Sequence, residues 1–215
     1  MIVLACPRCR AALPGMTCAS CGEVYPVVDG IHRFLPADRL AHFQPFLRDY
    51  TTVRLGEGRA TDDVESFHRL PEPTPGTPLA WQWELRRRTW TTVRDRVLPP
   101  LRSGLVVIDV GAGVGWLSNR LHQLGHQPHA IDLTVDSDDG LGAARHYGPP
   151  WPRYQAEMDA LPFADAQADV VVLNASLHYS TDYARTITEA LRVLRPSGSV
   201  VVMDSPIYRR EESGR

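Results

Sequence analysis

Lysine is missing from this chain: all 23 basic residues are arginine. With its many Ala, Pro and Gly residues, the chain has the look of codon bias in a GC-rich genome, and no function is read into it. Long apolar runs are missing too. None approaches the ~20 residues that a membrane span needs, so no membrane-spanning segment is expected. The opening residues, MIVLACPRCR, have neither a positive leader nor a long apolar centre, which argues against a secretory signal. The cytoplasm is therefore the expected compartment. Charge of one sign is not in excess either. A formal net charge of −2 argues against a protein that coats nucleic acid nonspecifically. What remains is a globular chain of 215 residues, 43% apolar, with room for one full α/β domain and something small beside it.

Cysteine is absent after position 21. All four cysteines sit in two C-x-x-C knuckles, Cys6-Pro7-Arg8-Cys9 and Cys18-Ala19-Ser20-Cys21. Four thiolates so spaced can close a tetrahedron around one zinc ion. Two disulfides are the alternative, disfavoured in a cytosolic chain, and a redox C-x-x-C would need only one pair. Four sulfur ligands leave no open position, so the expected metal is structural Zn²⁺. Glu23–Ile31 continues as a short hairpin with an Asp29-Gly30 turn. About thirty residues bury too little surface to fold alone, so the metal would supply the folding energy.

The stretch Leu105–Leu121, LVVIDVGAGVGWLSNRL, has the strongest pattern. Leu105–Ile108 reads as a strand buried on both faces, ending in Asp109. Gly111, Gly113 and Gly115 follow, and Trp116, Leu117, Leu121 and Leu124 then recur at helical spacing. A strand, a glycine turn and a helix start make a site where backbone N–H groups face a ligand. Dinucleotide-binding folds use a similar turn, but here the spacing is D-x-G-x-G-x-G. A second acid, Asp132, ends the next apolar run 23 residues after Asp109, where an acid takes ribose hydroxyls. Tyr154–Phe163, YQAEMDALPF, adds a segment of the D-x-x-x-LPF type.

On these residues the chain resembles the class I S-adenosylmethionine-dependent methyltransferases. The resemblance implies an α/β, Rossmann-like doubly wound sheet. It implies that Asp109, Gly111, Ala112, Gly113, Gly115 and Trp116 accommodate the amino-acid part of S-adenosylmethionine, and that Asp132 and Leu133 meet its ribose. Glu157 would accept from the adenine amine, with the Met158 N–H on the ring and Asp159 as the competing acid. Asn174 would stand beside the sulfonium at the end of the strand Ala168–Asn174. The following Ser176-Leu177-His178-Tyr179 is not the N/D-P-P-Y/F signature of DNA amino-methyltransferases. His178 is a candidate general base because imidazole titrates near neutrality, and Tyr179 is a second candidate; the alternative is that both only shape the wall. Tyr50 and Arg54, one turn apart on a helix expected over 37–59, would meet the cofactor carboxylate, or else simply dock that helix on the sheet.

Three regions follow: a zinc ribbon over 1–35, a helical cap with a proline-rich loop over 36–103, and the cofactor-binding domain over 104–215. Pro45 interrupts the first cap helix, which is expected to start or kink there, and Pro71–Pro78 is a loop. Trp81-Gln82-Trp83 would wall a substrate pocket or join the core. Glu84–Leu101 reads as a basic helix carrying Arg86, Arg87, Arg88, Arg94 and Arg96, with Arg102 nearby. Such arginines are usually solvated, but would also suit the cofactor carboxylate, an anionic substrate or RNA phosphates. A second helix is expected over Val135–Tyr147, stopped by Gly148-Pro149-Pro150, then a helix over Ala184–Leu194, a turn at Arg195–Gly198 and a fifth strand over Ser199–Met203. The family's sheet ends in a hairpin that nothing after Tyr208 can form. The sequence is thus a truncated piece, or its sheet is completed by another chain or by the N-terminal region. The open strand edge invites a homodimer. The function expected is methyl transfer to an oxygen, nitrogen or carbon of a small molecule. The alternatives are a ribosomal or transfer RNA methyltransferase using the ribbon and the basic helix, and a non-catalytic zinc-ribbon adaptor.

Overall fold

The structure is a computed structural model that describes residues 2–59, 63–98, 103–148, 151–206, 208 and 210. The stops expected at Pro99-Pro100 and Pro149-Pro150, and Arg102, lie outside the described residues. A seven-stranded sheet organises the chain: β1 (Val27–Val28), β2 (Ile31–Arg33), β3 (Val106–Val110), β4 (Gln127–Asp132), β5 (Arg153–Gln155), β6 (Ala168–Asn174) and β7 (Leu194–Met203). Their order across the sheet is β1-β2-β5-β4-β3-β6-β7. All neighbours are parallel except the β1–β2 hairpin. The order reverses at β3, and open α/β sheets bind ligands at the C-terminal ends beside such a switch point.

β3 shows why the central strands read as unbroken apolar runs. Ile108 and Val110 face one core with Ile131, Tyr154, Phe163, Val171 and Leu173. Val107 faces the other, with Trp90, Trp116, Leu117, Leu121, Val170 and Val172. Helices α3 (Ala80–Thr92), α4 (Trp116–Gln123) and α5 (Tyr183–Val193) cover the sheet, and α3 runs on into a π-helical turn, Val93–Val97. Two further helices precede α3: α1 (Ala37–Gly56), which carries Pro45 inside it, and α2 (Val64–Arg69). Among the described residues no helix is long and apolar enough to cross a membrane.

The N-terminal region does not stand apart from the sheet. The two-residue turn of the β1–β2 hairpin has Asp29 and Gly30 at φ of 53° and 71°, as its Asp-Gly sequence requires. β2 then pairs in parallel with β5 from Ile31↔Arg153 to Arg33↔Gln155, so the hairpin extends the sheet past its third family strand. Leu4 bridges Phe163, and Tyr25 and Phe34 pack into the same core as Tyr154 and Phe163. Arg10 forks onto the buried Glu189 of α5 at 2.6 and 3.0 Å. The N-terminal strands thus lengthen the sheet on the edge opposite β7, while among the described residues no strand pairs with the free edge of β7, where the family's hairpin would lie.

Two local expectations change. Val135–Tyr147 is not a helix: only a 3-10 turn, Ala143–Tyr147, forms. The Asp136 carboxylate accepts from the Asp138 and Asp139 N–H groups at 2.7 and 3.0 Å and holds the segment in a loop. Gly142 packs against that loop so closely that a Cβ would meet the Asp136 carbonyl oxygen at 2.7 Å. Arg195–Gly198 falls inside β7 instead of before it. The register jumps from Ala168↔Leu194 to Val170↔Ser199, so these four residues bulge out of the ladder.

His129 is buried on β4, its Nδ1 3.1 Å from the Tyr154 hydroxyl and its ring against Phe163. Burial pushes its pKa down to about 4 from an ordinary 6.5. The folded state therefore holds His129 neutral, and this stability is complete above pH 6.5 and is lost as pH falls toward 4. The difference corresponds to about 3 kcal/mol. Denaturant titrations between pH 7 and 4 should show a smaller loss of stability in His129→Gln than in the parent chain.

Candidate active site

At the C-terminal ends of β3, β4 and β6 lies a cavity of about 690 Å³. Its floor is the glycine turn. Gly111, with φ of 77°, packs so tightly that a Cβ would lie 2.2 Å from the Ser176 Cβ. The Gly111 and Ala112 N–H groups both donate to the Ile131 carbonyl, at 2.8 and 2.9 Å. Gly113, with φ of 52°, has no heavy atom within 4 Å of where its Cβ would be. That open space over bare backbone is what close approach by a ligand requires.

Asp132 ends β4 at the cavity wall. Its Oδ2 accepts from Gly113 N–H at 2.7 Å, and its Oδ1 from the Thr134 N–H and hydroxyl at 2.8 and 2.9 Å. A carboxylate offers about four acceptor sites. One therefore remains on Oδ2, and rotation of the Thr134 hydroxyl frees a second, enough for two adjacent hydroxyls of a sugar. Burial raises the carboxyl pKa, and the Thr134 and Gly113 N–H groups oppose that rise.

Helix α1 roofs the cavity with Phe46, Tyr50 and Arg54, spaced one turn apart. Tyr50 meets Tyr179 edge-on at 5.7 Å, and Arg54 lies 5.2 Å over the Tyr50 ring while its guanidinium pairs with Asp139. On the side next to β7 stand Trp81, Gln82, Trp83 and Arg86 of α3, with His178, Tyr179 and Asp204. Trp83 packs edge-on against Trp116, so the Trp-Gln-Trp stretch serves cavity and core together. His178 is half-buried; burial, and then the Arg86 charge, lower its pKa and favour the neutral imidazole.

Of the sixteen residues assigned from sequence to the cofactor or to catalysis, twelve meet at this cavity: Tyr50, Arg54, Gly111, Ala112, Gly113, Trp116, Asp132, Leu133, Met158, Asn174, His178 and Tyr179. Asp109, Gly115, Glu157 and Asp159 do not line it. Asp109 is fully buried beneath the turn, where Ser118 donates to it at 2.8 Å and burial pushes its pKa up to about 7. Glu157 is held in a fork by Arg39 at 2.7 and 2.6 Å, and Asp159 pairs with Arg185 at 3.1 Å. Arg59 and Asp204 line the cavity without any local pattern that marks them in the sequence. Arg87 and Arg88 are spent on Glu84, and Arg94 on Asp95.

The four cysteines gather separately, with all Sγ atoms within 4.8 Å of one another. The Cys6–Cys21 and Cys9–Cys18 separations are 3.6 and 3.5 Å. A tetrahedron with Zn–S bonds of about 2.3 Å has edges of about 3.8 Å, so the set fits such an ion. The buried Tyr25 hydroxyl lies 3.1 Å from Cys6 Sγ, a contact typical of the outer shell around a metal thiolate.

Residues 108–202 match the family model described as a methyltransferase domain. Among curated proteins, the malonyl-[acyl-carrier protein] O-methyltransferase of Erwinia billingiae is 32% identical over 103 residues, 46% of this chain and 39% of that protein. The dimethylglycine N-methyltransferase of Parasynechococcus marenigrum is 32% identical over 109 residues, 49% and 39% of the two. The chain thus spans about two fifths of the length of these relatives. A solved S-adenosylmethionine-dependent methyltransferase from Mesorhizobium loti is 30% identical, with a TM-score of 0.46 over 53% of this chain and 51% of that one. By its family match and its glycine turn, the segment 108–202 belongs to the class I S-adenosylmethionine-dependent methyltransferase domains.

Proposed function

We propose that the chain binds S-adenosylmethionine in this cavity and transfers the cofactor's methyl group to a small-molecule nucleophile. One observation carries the reading. The open backbone at Gly113 and the acceptor sites of Asp132 face the same cavity, at the switch point of a parallel sheet. The two named relatives are an O-methyltransferase named for a carrier-bound malonyl group and an N-methyltransferase named for dimethylglycine, which supports a small acyl or amino-acid acceptor group without choosing the atom. The cofactor, when bound, supplies a methyl carbon already electrophilic on its sulfonium. The protein's part is then alignment: holding the acceptor in line and excluding water.

In this reading Gly111, Ala112, Gly113 and Trp116 hold the amino-acid part, Asp132 and Leu133 the ribose, Met158 the adenine and Asn174 the sulfonium end. Asp109 and Gly115 act from beneath the turn. Glu157, engaged by Arg39 and outside the cavity lining, would stiffen the adenine edge. Tyr50 closes the roof, and Arg54 shares its charge with Asp139. His178 and Tyr179 stand on the acceptor side, where a neutral His178 is able to take a proton from an acceptor that carries one. Zn²⁺ on Cys6, Cys9, Cys18 and Cys21 would be structural, with no open position for chemistry. Calorimetric titration of S-adenosylmethionine into the zinc-loaded chain should give saturable one-to-one binding. A folded sample that does not bind at millimolar cofactor would overturn the proposal.

A further inference from the structure

Among the described residues Arg86 is a cavity arginine with no hydrogen-bonded or ion-paired partner, although the Asp204 charge favours its charged form. Arg54 pairs with Asp139, and Arg59 with Glu57 and the Gln82 amide oxygen. Arg86 instead sits over the Trp83 ring, its Cζ 4.8 Å from the centroid, and its Nη1 is shut off from solvent with no hydrogen-bond partner among the described residues. A guanidinium resting on an aromatic ring can still offer its N–H groups to a planar oxyanion. Nearby polar atoms are orphaned in the same way: His178 Nδ1 and Asp204 Oδ2 are both buried without partners, although Asp204 Oδ1 accepts from Thr89 at 2.7 Å. Three unpaired groups from α3, the loop after β6 and the end of β7 thus line one side of one cavity. Left dry, each would carry the full cost of an unmade hydrogen bond, and a polar ligand removes that cost.

The identity of the groups limits the ligand. Arg86 only donates, and Asp204 as a carboxylate only accepts. A doubly charged phosphate on Arg86 would also face Asp204, whereas a single carboxylate with a hydroxyl or amine close to it satisfies both. We infer that the methyl acceptor is a carboxylate with a neighbouring hydroxyl or amine, its carboxylate seated on Arg86 and its N–H or O–H facing Asp204 and His178. The inference rests on the methyltransferase reading. The cofactor also bears a carboxylate beside an amine, so the test must separate the two sources.

The experiment uses the full zinc-loaded chain and a set of small hydroxy- and amino-carboxylic acids, aromatic and aliphatic, each paired with its carboxamide. Affinities are read by calorimetry with and without S-adenosylhomocysteine. At least one acid should bind about tenfold more tightly than its amide. Arg86→Gln should erase that preference, and Arg86→Lys, which keeps the charge but not the fork, should retain part of it. The affinity for S-adenosylhomocysteine should stay within about threefold in both variants, which also shows that they are folded. Amides that bind as well as acids, a preference that survives Arg86→Gln, or no acid binding below about 10 mM would each overturn the inference. A loss of tenfold or more in S-adenosylhomocysteine affinity in Arg86→Gln would overturn it too, assigning Arg86 to the cofactor. Failure of the parent chain to bind S-adenosylhomocysteine would count against the methyltransferase reading itself, and the acid-over-amide comparison would still be read without it.

Discussion

Replacing Asp132 by alanine is expected to weaken S-adenosylmethionine binding at least 100-fold, to the point where calorimetry sees no saturation. Each hydrogen bond from a sugar hydroxyl to a carboxylate is worth about 1.5–3 kcal/mol, and two of them exceed the ~2.7 kcal/mol that a 100-fold change represents. Asp132 also ties Gly113 to Thr134, so alanine removes acceptors from the N–H groups of both. Asp132→Asn is the milder change: it keeps the size and one acceptor oxygen, so one of the Gly113 and Thr134 N–H groups stays satisfied while the other faces the new amide NH2, and the charge-assisted part of ribose binding is lost. A thermal midpoint near that of the parent chain together with weak binding would assign Asp132 to the cofactor. Unchanged binding in both variants would remove the ribose assignment.

Stripping the metal should have the second large effect. The cysteine cluster is not a pendant. Cys6 and Cys18 are buried in the same core as Tyr154, Phe163 and Leu173, and β2 forms the sheet's continuation beyond β5. Structural zinc contributes about 10–16 kcal/mol of apparent binding energy in isolated zinc-finger peptides. Even a third of that, lost here, would lower the thermal midpoint by roughly 10–20 °C for a chain of this size. Elemental analysis should find one zinc per chain. A strong chelator, or Cys18→Ser, should lower the midpoint by that amount. A chain that purifies without metal and ignores the chelator would show that the thiols pack as side chains only.

The sequence was most legible where one local pattern serves one purpose. The D-x-G-x-G-x-G turn, the acid at the end of β4 and the apolar run of β6 are each explained by backbone geometry or burial within a few residues. The Asp29-Gly30 turn was legible for the same reason, since two residues at positive φ leave few choices. Glu157 was harder to read. Its position in the family pattern suggests adenine, and only the fold brings Arg39, 118 positions earlier, onto its carboxylate. Arg86 was visible as one arginine among several on a basic helix. Nothing local distinguishes it from Arg87 and Arg88, which turn to Glu84 while Arg86 turns to Trp83 and the cavity. The loop at Asp136–Gly142 misled because acidic residues at the head of a segment suit a helix start and an Asx turn equally well.

The parallel pairing of β2 with β5 sets an order of events at the ribosome. Ile31 and its partner Arg153 are separated by about 120 residues. At roughly 5–20 residues per second, the hairpin emerges on the order of ten seconds before the strand it must join. The four cysteines all precede it, so metal uptake can shape the ribbon while the rest of the sheet is still unmade. During that interval β2 presents a bare hydrogen-bonding edge to its surroundings. With zinc on the four cysteines, as proposed, a cell short of the metal would release nascent chains whose ribbon cannot form, and the resulting defect would appear as loss of protein during synthesis.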